Sequence, residues 1–307
     1  MTFFSLIFAL LLEQLRDGGE RNRSVSLFLS YADSLERYFN TGLHRHRVAA
    51  WFATVLPLLI LSVWIYYLLY SVSPLLGWGW NVLILYLTMG FRQFSYSVTE
   101  IKEALKNEDL PLARQLLKEF HGVQGEDYSS ADISRIAIEM GLIHSHRDML
   151  GIIVCFVLLP GPLGPMLYRL AELLRNRWGE RHDDFGVFAV KAFEIIDWLP
   201  ARATALSFAI AGNFEDAVYC WRAQAASWMD QNQGIILASG AGALGVCVGD
   251  PLREDGGEYY RPELGVGEEA DMDFLQSTVG LIWRALVLWL LLLLMLEIAS
   301  WAGSWGG

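Results

Sequence analysis

Hydrophobic and polar positions are distributed along this chain in long blocks rather than in the short alternations of a soluble domain. Val48 to Phe91 runs for 44 residues without Asp, Glu, Lys, Arg or His, about twice the ~20 residues one helix needs to cross a bilayer. Ser73, Pro74, Gly77 and Gly79 sit near its middle, so the block predicts a hairpin of two membrane helices, Val48 to Val72 and Trp78 to Phe91. Pro57 falls inside the first and is tolerated there if a neighbour satisfies the carbonyl it frees. Leu281 to Trp301 predicts another span: every residue from Ala285 to Leu296 is apolar, and Arg284 and Glu297 stand where each can reach an opposite interface. Phe3 to Leu12 is apolar without the basic start and small-residue cleavage site of a signal peptide, and reads as a short retained span or an interfacial helix. Met149 to Tyr168 is uncharged but interrupted by Pro160, Gly161, Pro162, Gly164 and Pro165, which predicts a broken or re-entrant helix. The apolar patches Trp198 to Phe214 and Gly234 to Gly249 are short, and fit half-spans or helices lying on the membrane.

Between these blocks the period is helical and amphipathic. Ile101, Ala104 and Leu105, then Leu112, Leu116 and Leu117 after a restart at Leu110-Pro111, and Ile133, Ile136, Ala137 and Met140 each line one face. The expected fold is all-α: a polytopic integral membrane protein with a helical cytoplasmic region. Its expected segments are 1–47 (first apolar helix and basic loop), 48–91 (hairpin), 92–148 (helical cytoplasmic loop), 149–279 (broken membrane helices) and 280–307 (last span). Six arginines between Glu13 and Arg47 and seven Lys or Arg between Arg92 and Arg147, against none after Trp301, place both loops in the cytoplasm.

Composition agrees with a membrane protein: 54% of residues are hydrophobic, 19% charged, and 12 are Trp. The net charge of −11 argues against a nucleic-acid partner, which requires a concentrated basic surface. Nine acids against two arginines between Asp250 and Asp273 account for seven of those eleven charges. Cys155, Cys220 and Cys247 form no CxxC pair and read as packing residues.

Several clusters carry potential chemistry. Gly122, Gly125, Glu126 and Asp127 form a turn that suits a phosphate with Mg²⁺, or an ordinary surface turn. His144 and His146 with Asp148 suit a metal in an extended segment; on a helix the two rings diverge, and interfacial anchoring accounts for them. No metal site is expected. Gly240-Ala-Gly242-Ala-Leu-Gly245 matches GxGxxG without the strand before it and the helix start after it that a dinucleotide site needs, so close packing of small residues explains it better. Asp197 and Arg202 flank Pro200, which is expected in the first turn of an apolar helix Ala201 to Ala211. Arg202 then enters apolar surroundings and needs a carboxylate or phosphate, either Asp197 or a substrate.

These residues resemble a known family. Gly179-Glu-Arg-His-Asp183-Asp184-Phe-Gly186, Trp198-Leu-Pro-Ala-Arg202-Ala-Thr-Ala-Leu206, Ala241-Gly-Ala-Leu-Gly245-Val246 and Tyr260-Arg261-Pro262-Glu-Leu264-Gly265 are similar to motifs of the CobD/CbiB membrane proteins of cobalamin biosynthesis. The opening Met1 to Gln14 also looks like that of their sister group, the AmpE regulators linked to β-lactamase induction. The resemblance implies a bacterial inner-membrane enzyme that joins adenosylcobyric acid to aminopropanol or its phosphate by an ATP-dependent amide ligation, with Mg²⁺, ATP and a corrinoid substrate. The alternative is a non-catalytic AmpE-like regulator. Among catalytic residues it implies Glu139 and Arg202. The chain departs from the family's acidic motifs at Ile143 to Asp148 and Ala171 to Arg175, which leaves Glu139, Asp148, Asp183 and Asp184 as the candidate acids. Asp197, Arg202 and Arg261 are the expected substrate-binding residues. The implied partners are the lipid bilayer and the corrinoid, with a homo-oligomer or a second membrane protein left open.

Because arginine-rich flanks resist translocation, reporter fusions after Arg37 and after Leu117 are both expected to report cytoplasm. An external signal at either position would break the two-span hairpin.

Overall fold

The computed structural model describes residues 2–15, 19–39, 44–121, 128–179, 184–249, 252–254, 257–259 and 261–304. In chain order its helices are α1 (Thr2–Leu15), α2 (Gly19–Phe39), α3 (His44–Val72), α4 (Pro74–Thr88), α5 (Phe91–Lys106), α6 (Leu110–His121) and α7 (Ser130–Ser145). They continue as α8 (Gly151–Leu158), α9 (Leu163–Gly179), α10 (Asp184–Ala211), α11 (Phe214–Gln224), α12 (Gln231–Leu244) and α13 (Met272–Ser304). Five strands of two or three residues lie between α12 and α13: β1 (Val246–Val248), β2 (Leu252–Glu254), β3 (Gly257–Tyr259), β4 (Leu264–Gly265) and β5 (Glu268–Glu269). The fold is all-α, and among the described residues three helical runs are long and apolar enough to cross a membrane: Arg47–Val72, Ser130–Leu158 and Met272–Trp301. In the first and last, 33% and 28% of the most apolar window is buried by protein, against 72% in the middle one. Ile60, Trp64 and Leu68 on α3, and Leu291, Met295 and Ile298 on α13, are accordingly exposed. Apolar surface of that extent belongs against lipid.

The chain divides into two units, one comprising Met1–Gly90, Gly151–Pro200 and Leu296–Gly307, the other Phe91–Leu150 and Ala201–Met295. In the first unit α3 and α4 form the expected hairpin, but α4 starts and stops earlier than Trp78 and Phe91. Pro74 is its first residue, and the Ser73 hydroxyl accepts the Leu75 amide at 3.3 Å, so the serine caps the helix and both following glycines are absorbed into it. Its 15 residues fall short of a full span. Pro57 removes the amide that would bond the Ala53 carbonyl, and the Tyr31 hydroxyl of α2 donates to that carbonyl instead, at 3.3 Å.

Two expectations are corrected. The helix anticipated to begin at Met149 begins at Ser130, where Ser129 and Asp132 form a capping box, and it continues through a π-helical turn, His146–Leu150, into α8. Within that run His144 and Asp148 bond each other and His146 bonds Thr204. The break comes at 159–162, after which α9 restarts at Leu163. Likewise Pro200 does not open a helix at Ala201 but lies inside α10. Ala189, Phe193, Asp197, Ala201 and Ala205 are all buried, a four-residue spacing that continues across the proline and holds the helix together.

In the second unit Gly240 and Gly242 lie in the last turns of α12, which runs into β1; the order is helix then strand, the reverse of a dinucleotide fingerprint. A Cβ on Gly242 would stand 2.6 Å from the Asp216 carbonyl oxygen and 2.9 Å from the Ala217 Cα of α11, and one on Gly240 would stand 2.7 Å from the Leu142 side chain. Gly245 ends α12 at φ 70°, with open space where a Cβ would stand. β1 is the middle strand of three, antiparallel to β4 and parallel to β5, while β2 and β3 pair as a hairpin.

Close approach and backbone conformation thus separate the glycines. Gly242→Val is expected to destabilise by about 1–3 kcal/mol through overpacking. Gly245→Ala, strained only in φ, should cost about 1 kcal/mol. Thermal unfolding in detergent checks the order, and equal losses would contradict it.

Candidate functional site

Glu139 lies on α7 and is 1% exposed. A carboxylate so far from water requires full compensation. Arg261 Nη1 donates to Glu139 Oε2 at 2.6 Å and Nη2 to Oε1 at 3.3 Å, while the Gly249 amide donates to Oε1 at 2.9 Å. Arg261 Nη2 also reaches the Gly249 carbonyl at 3.4 Å, and its Cζ lies 5.7 Å from the centroid of the Trp228 ring. Two residues expected in different roles, Glu139 as an acid and Arg261 as a substrate ligand, are therefore brought together as one ion pair. Close by in the same unit, Gln224 bonds both backbone groups of Gly265, donating to the carbonyl at 2.9 Å and accepting the amide at 2.7 Å, in the manner of a neighbouring strand.

Arg202 donates to Asn232 Oδ1 at 3.4 Å. Asn232 is buried just inside α12, whose N-cap Asp230 accepts the Asn232 and Gln233 amides at 3.1 Å each. Neither Asn232 nor Trp228 was anticipated; the Asp-x-Asn step before an apolar run was a readable cap signal, while the ring contact had none. Asp197, in the other unit, is buried and accepts the Tyr168 hydroxyl at 2.8 Å. Asp148 bonds His144 Nδ1 at 3.0 Å, and His146 Nδ1 bonds Thr204 Oγ1 at 2.9 Å, so the two histidines diverge to different partners. Asp184 is the first residue of α10; Asp183 and the turn Gly122 to Asp127 lie outside the described residues. Among the described residues no three of His, Cys, Asp and Glu gather as a metal would require.

Comparison with known proteins adds identity to this geometry. The model of the CobD/Cbib protein family matches residues 6–282. The chain belongs to the CobD/CbiB family. It is 33% identical over 299 residues to the cobalamin biosynthesis protein CobD of Stutzerimonas stutzeri, covering 95% of this chain and 97% of that one. The CobD of Chromobacterium violaceum is 34% identical, covering 80% and 78%, and the cobalamin biosynthesis protein CbiB of Salmonella typhimurium 26%, covering 73% and 72%. No solved structure matches. In this CobD/CbiB chain the motif residues have structural partners: Arg202 and Thr204 project from α10 to Asn232 and His146, Gly245 caps α12, and Arg261 precedes β4 and closes on Glu139.

Because the Glu139 and Arg261 charges depend on one another, Glu139→Met is expected to destabilise by about 3–5 kcal/mol by stranding a buried guanidinium. Adding Arg261→Met should recover most of that loss. Thermal unfolding of the two single variants and the double variant in detergent measures the coupling, and additive losses would show that the two side chains act independently.

Proposed function

We propose that the protein is a multi-pass inner-membrane enzyme of late cobalamin biosynthesis that forms the amide between adenosylcobyric acid and aminopropanol or its phosphate. The observation that carries the reading is the match, along nearly its whole length, to relatives named as cobalamin biosynthesis proteins. Amide formation from a carboxylate requires that carboxylate to be activated and the developing negative charge to be held. Arg202 is the side chain suited to hold it, since a guanidinium meets a carboxylate or phosphate through two parallel bonds, while Arg261, whose two Nη atoms already reach Glu139, adds positive charge and its remaining N–H groups. Glu139 has both oxygens engaged by Arg261 and Gly249, so in this reading it sets the direction of Arg261. Asp148 orients His144. ATP and Mg²⁺ belong to the proposal as the activating group; the described residues offer no gathered ligand set for the metal, and no step is routed through it. The relatives named above lend nothing to the AmpE-like regulator reading.

The test is complementation of a bacterial strain lacking its own cobinamide synthase. The intact chain is expected to restore cobalamin-dependent growth. Arg202→Lys, which keeps the charge and loses the planar fork, should impair growth while the protein still inserts in the membrane. Failure of the intact chain, with membrane insertion verified, would overturn the reading.

A further inference from the structure

A concave surface in the first unit takes no part in the chemistry above. It is a cavity of about 410 Å³ between α2, α3, α4 and α9, with walls that include Leu27 and Phe28 of α2, Leu58 of α3, Leu87 of α4, and Leu170 and Leu173 of α9. Polar bonds fix α2 at its edge. The Tyr31 hydroxyl donates to the Ala53 carbonyl of α3, and Arg177 of α9 donates to both oxygens of Asp33, from Nε at 3.0 Å and from Nη2 at 2.8 Å. From those anchors α2 runs back along the cavity, and Ser24, Leu27, Phe28 and Tyr31, at helical spacing, give it one face over about 10 Å.

Two properties of the walls say what fits between them. The polar side chains in the lining already have partners: besides Tyr31, the Thr88 hydroxyl donates to the Ile84 carbonyl at 2.8 Å, Arg169 Nη1 donates to Glu172 at 2.7 Å, and Ser24 is bonded as well. The cavity therefore recruits a ligand through apolar contact rather than through charge, and a polar molecule would forfeit hydrogen bonds on entering. Its position is the second property. Leu58 lies inside the Arg47–Val72 run, and two residues on is Ile60, on the exposed surface that belongs against lipid. Leu27, in the wall formed by α2, is itself 67% exposed. Left empty, such a hollow loses dispersion contacts on all its sides.

We propose that this cavity holds the end of one acyl tail of a bilayer phospholipid, lying along α2 with its headgroup outside. Lipid against the exposed faces of α3 and α13 touches protein on one side, whereas a tail in the cavity touches four helices. Because the surrounding lipid is as apolar as the walls, this added contact, and not hydrophobicity, retains the tail. Two consequences follow from that physics. The held tail exchanges more slowly than the lipid around the protein, and headgroup charge does not select it.

Photocrosslinking tests both. The full-length protein is reconstituted with a phosphatidylcholine or a phosphatidylglycerol that carries a diazirine near the end of one tail. It is irradiated before or after prolonged detergent exchange, and the adducts are mapped by mass spectrometry. Before exchange, adducts are expected on the α2 and α9 peptides that line the cavity and on the α13 peptide holding the exposed Leu291 and Met295. After exchange the α13 adducts should be lost and the cavity adducts kept, equally for the two headgroups. Leu87→Trp and Leu173→Trp, both at half-buried positions in the lining, should fill the hollow and abolish the cavity adducts while leaving those on α13 before exchange. The exchange comparison needs no variant, so it decides the matter even where a tryptophan disturbs folding. Cavity adducts that wash out as fast as those on α13 would overturn the proposal, as would labelling by the anionic lipid alone, which would mean that the headgroup is what is held. A dimer in native mass spectra whose cavity peptides take no adduct would overturn it as well, and would give this face to a second copy of the chain.

Discussion

The ordering of the region between α12 and α13 depends on a buried ion pair. Strands of two or three residues have too few hydrogen bonds to stand alone, and β1, β4 and β5 are no longer than that. They are held from outside: Glu139 takes the Gly249 amide and Arg261, and Gln224 takes both backbone groups of Gly265. The carboxylate and guanidinium have largely left water, so each is tolerable only while the other is present. That mutual dependence keeps α7 and the chain on either side of the β2 and β3 hairpin in fixed relation. It also fixes the direction of Arg261, the side chain proposed to meet substrate.

The same rule, that a polar group leaving water must find a partner, shapes the membrane helices. Pro57 frees the Ala53 carbonyl within an apolar helix, and the Tyr31 hydroxyl takes it up. Trp80 Nε1 donates to the Ser62 carbonyl at 3.2 Å, and Trp289 Nε1 to the Ser207 hydroxyl at 2.9 Å. Apolar faces need no such matching. On α3 and α13 they stay exposed, as suits lipid, whereas the Ser130–Leu158 run is mostly covered by protein and can carry Glu139 and His146. A charged, hydrogen-bonding face on a helix that is otherwise apolar is affordable where other parts of the protein supply the partners.

What the sequence determined by itself was the content that depends on neighbours in the chain. The uncharged run from Val48 and the leucine-dense run to Trp301 announced apolar helices, Leu110-Pro111 announced a restart, and the small residues from Gly240 to Gly245 announced close helix packing. Each is a property of period, composition or local backbone stereochemistry. The family was legible too, because Arg202, Gly245 and Arg261 stand within short contiguous motifs. Tertiary structure alone decided the rest. Glu139 and Arg261 are far apart in sequence, and no local pattern says that an acid on an amphipathic helix will meet an arginine beyond a glycine turn. The helical run continues through His144, His146 and Asp148, a cluster that reads in sequence as interfacial anchoring, because His144 and Asp148 bond each other one turn apart and His146 finds Thr204 far along the chain. Pro200 was misread as a helix start because proline lacks an amide, yet a buried stripe running on both sides of it kept α10 continuous. In each case the outcome turned on whether a polar group or a backbone defect found compensation from distant chain, and that is information a linear pattern does not contain.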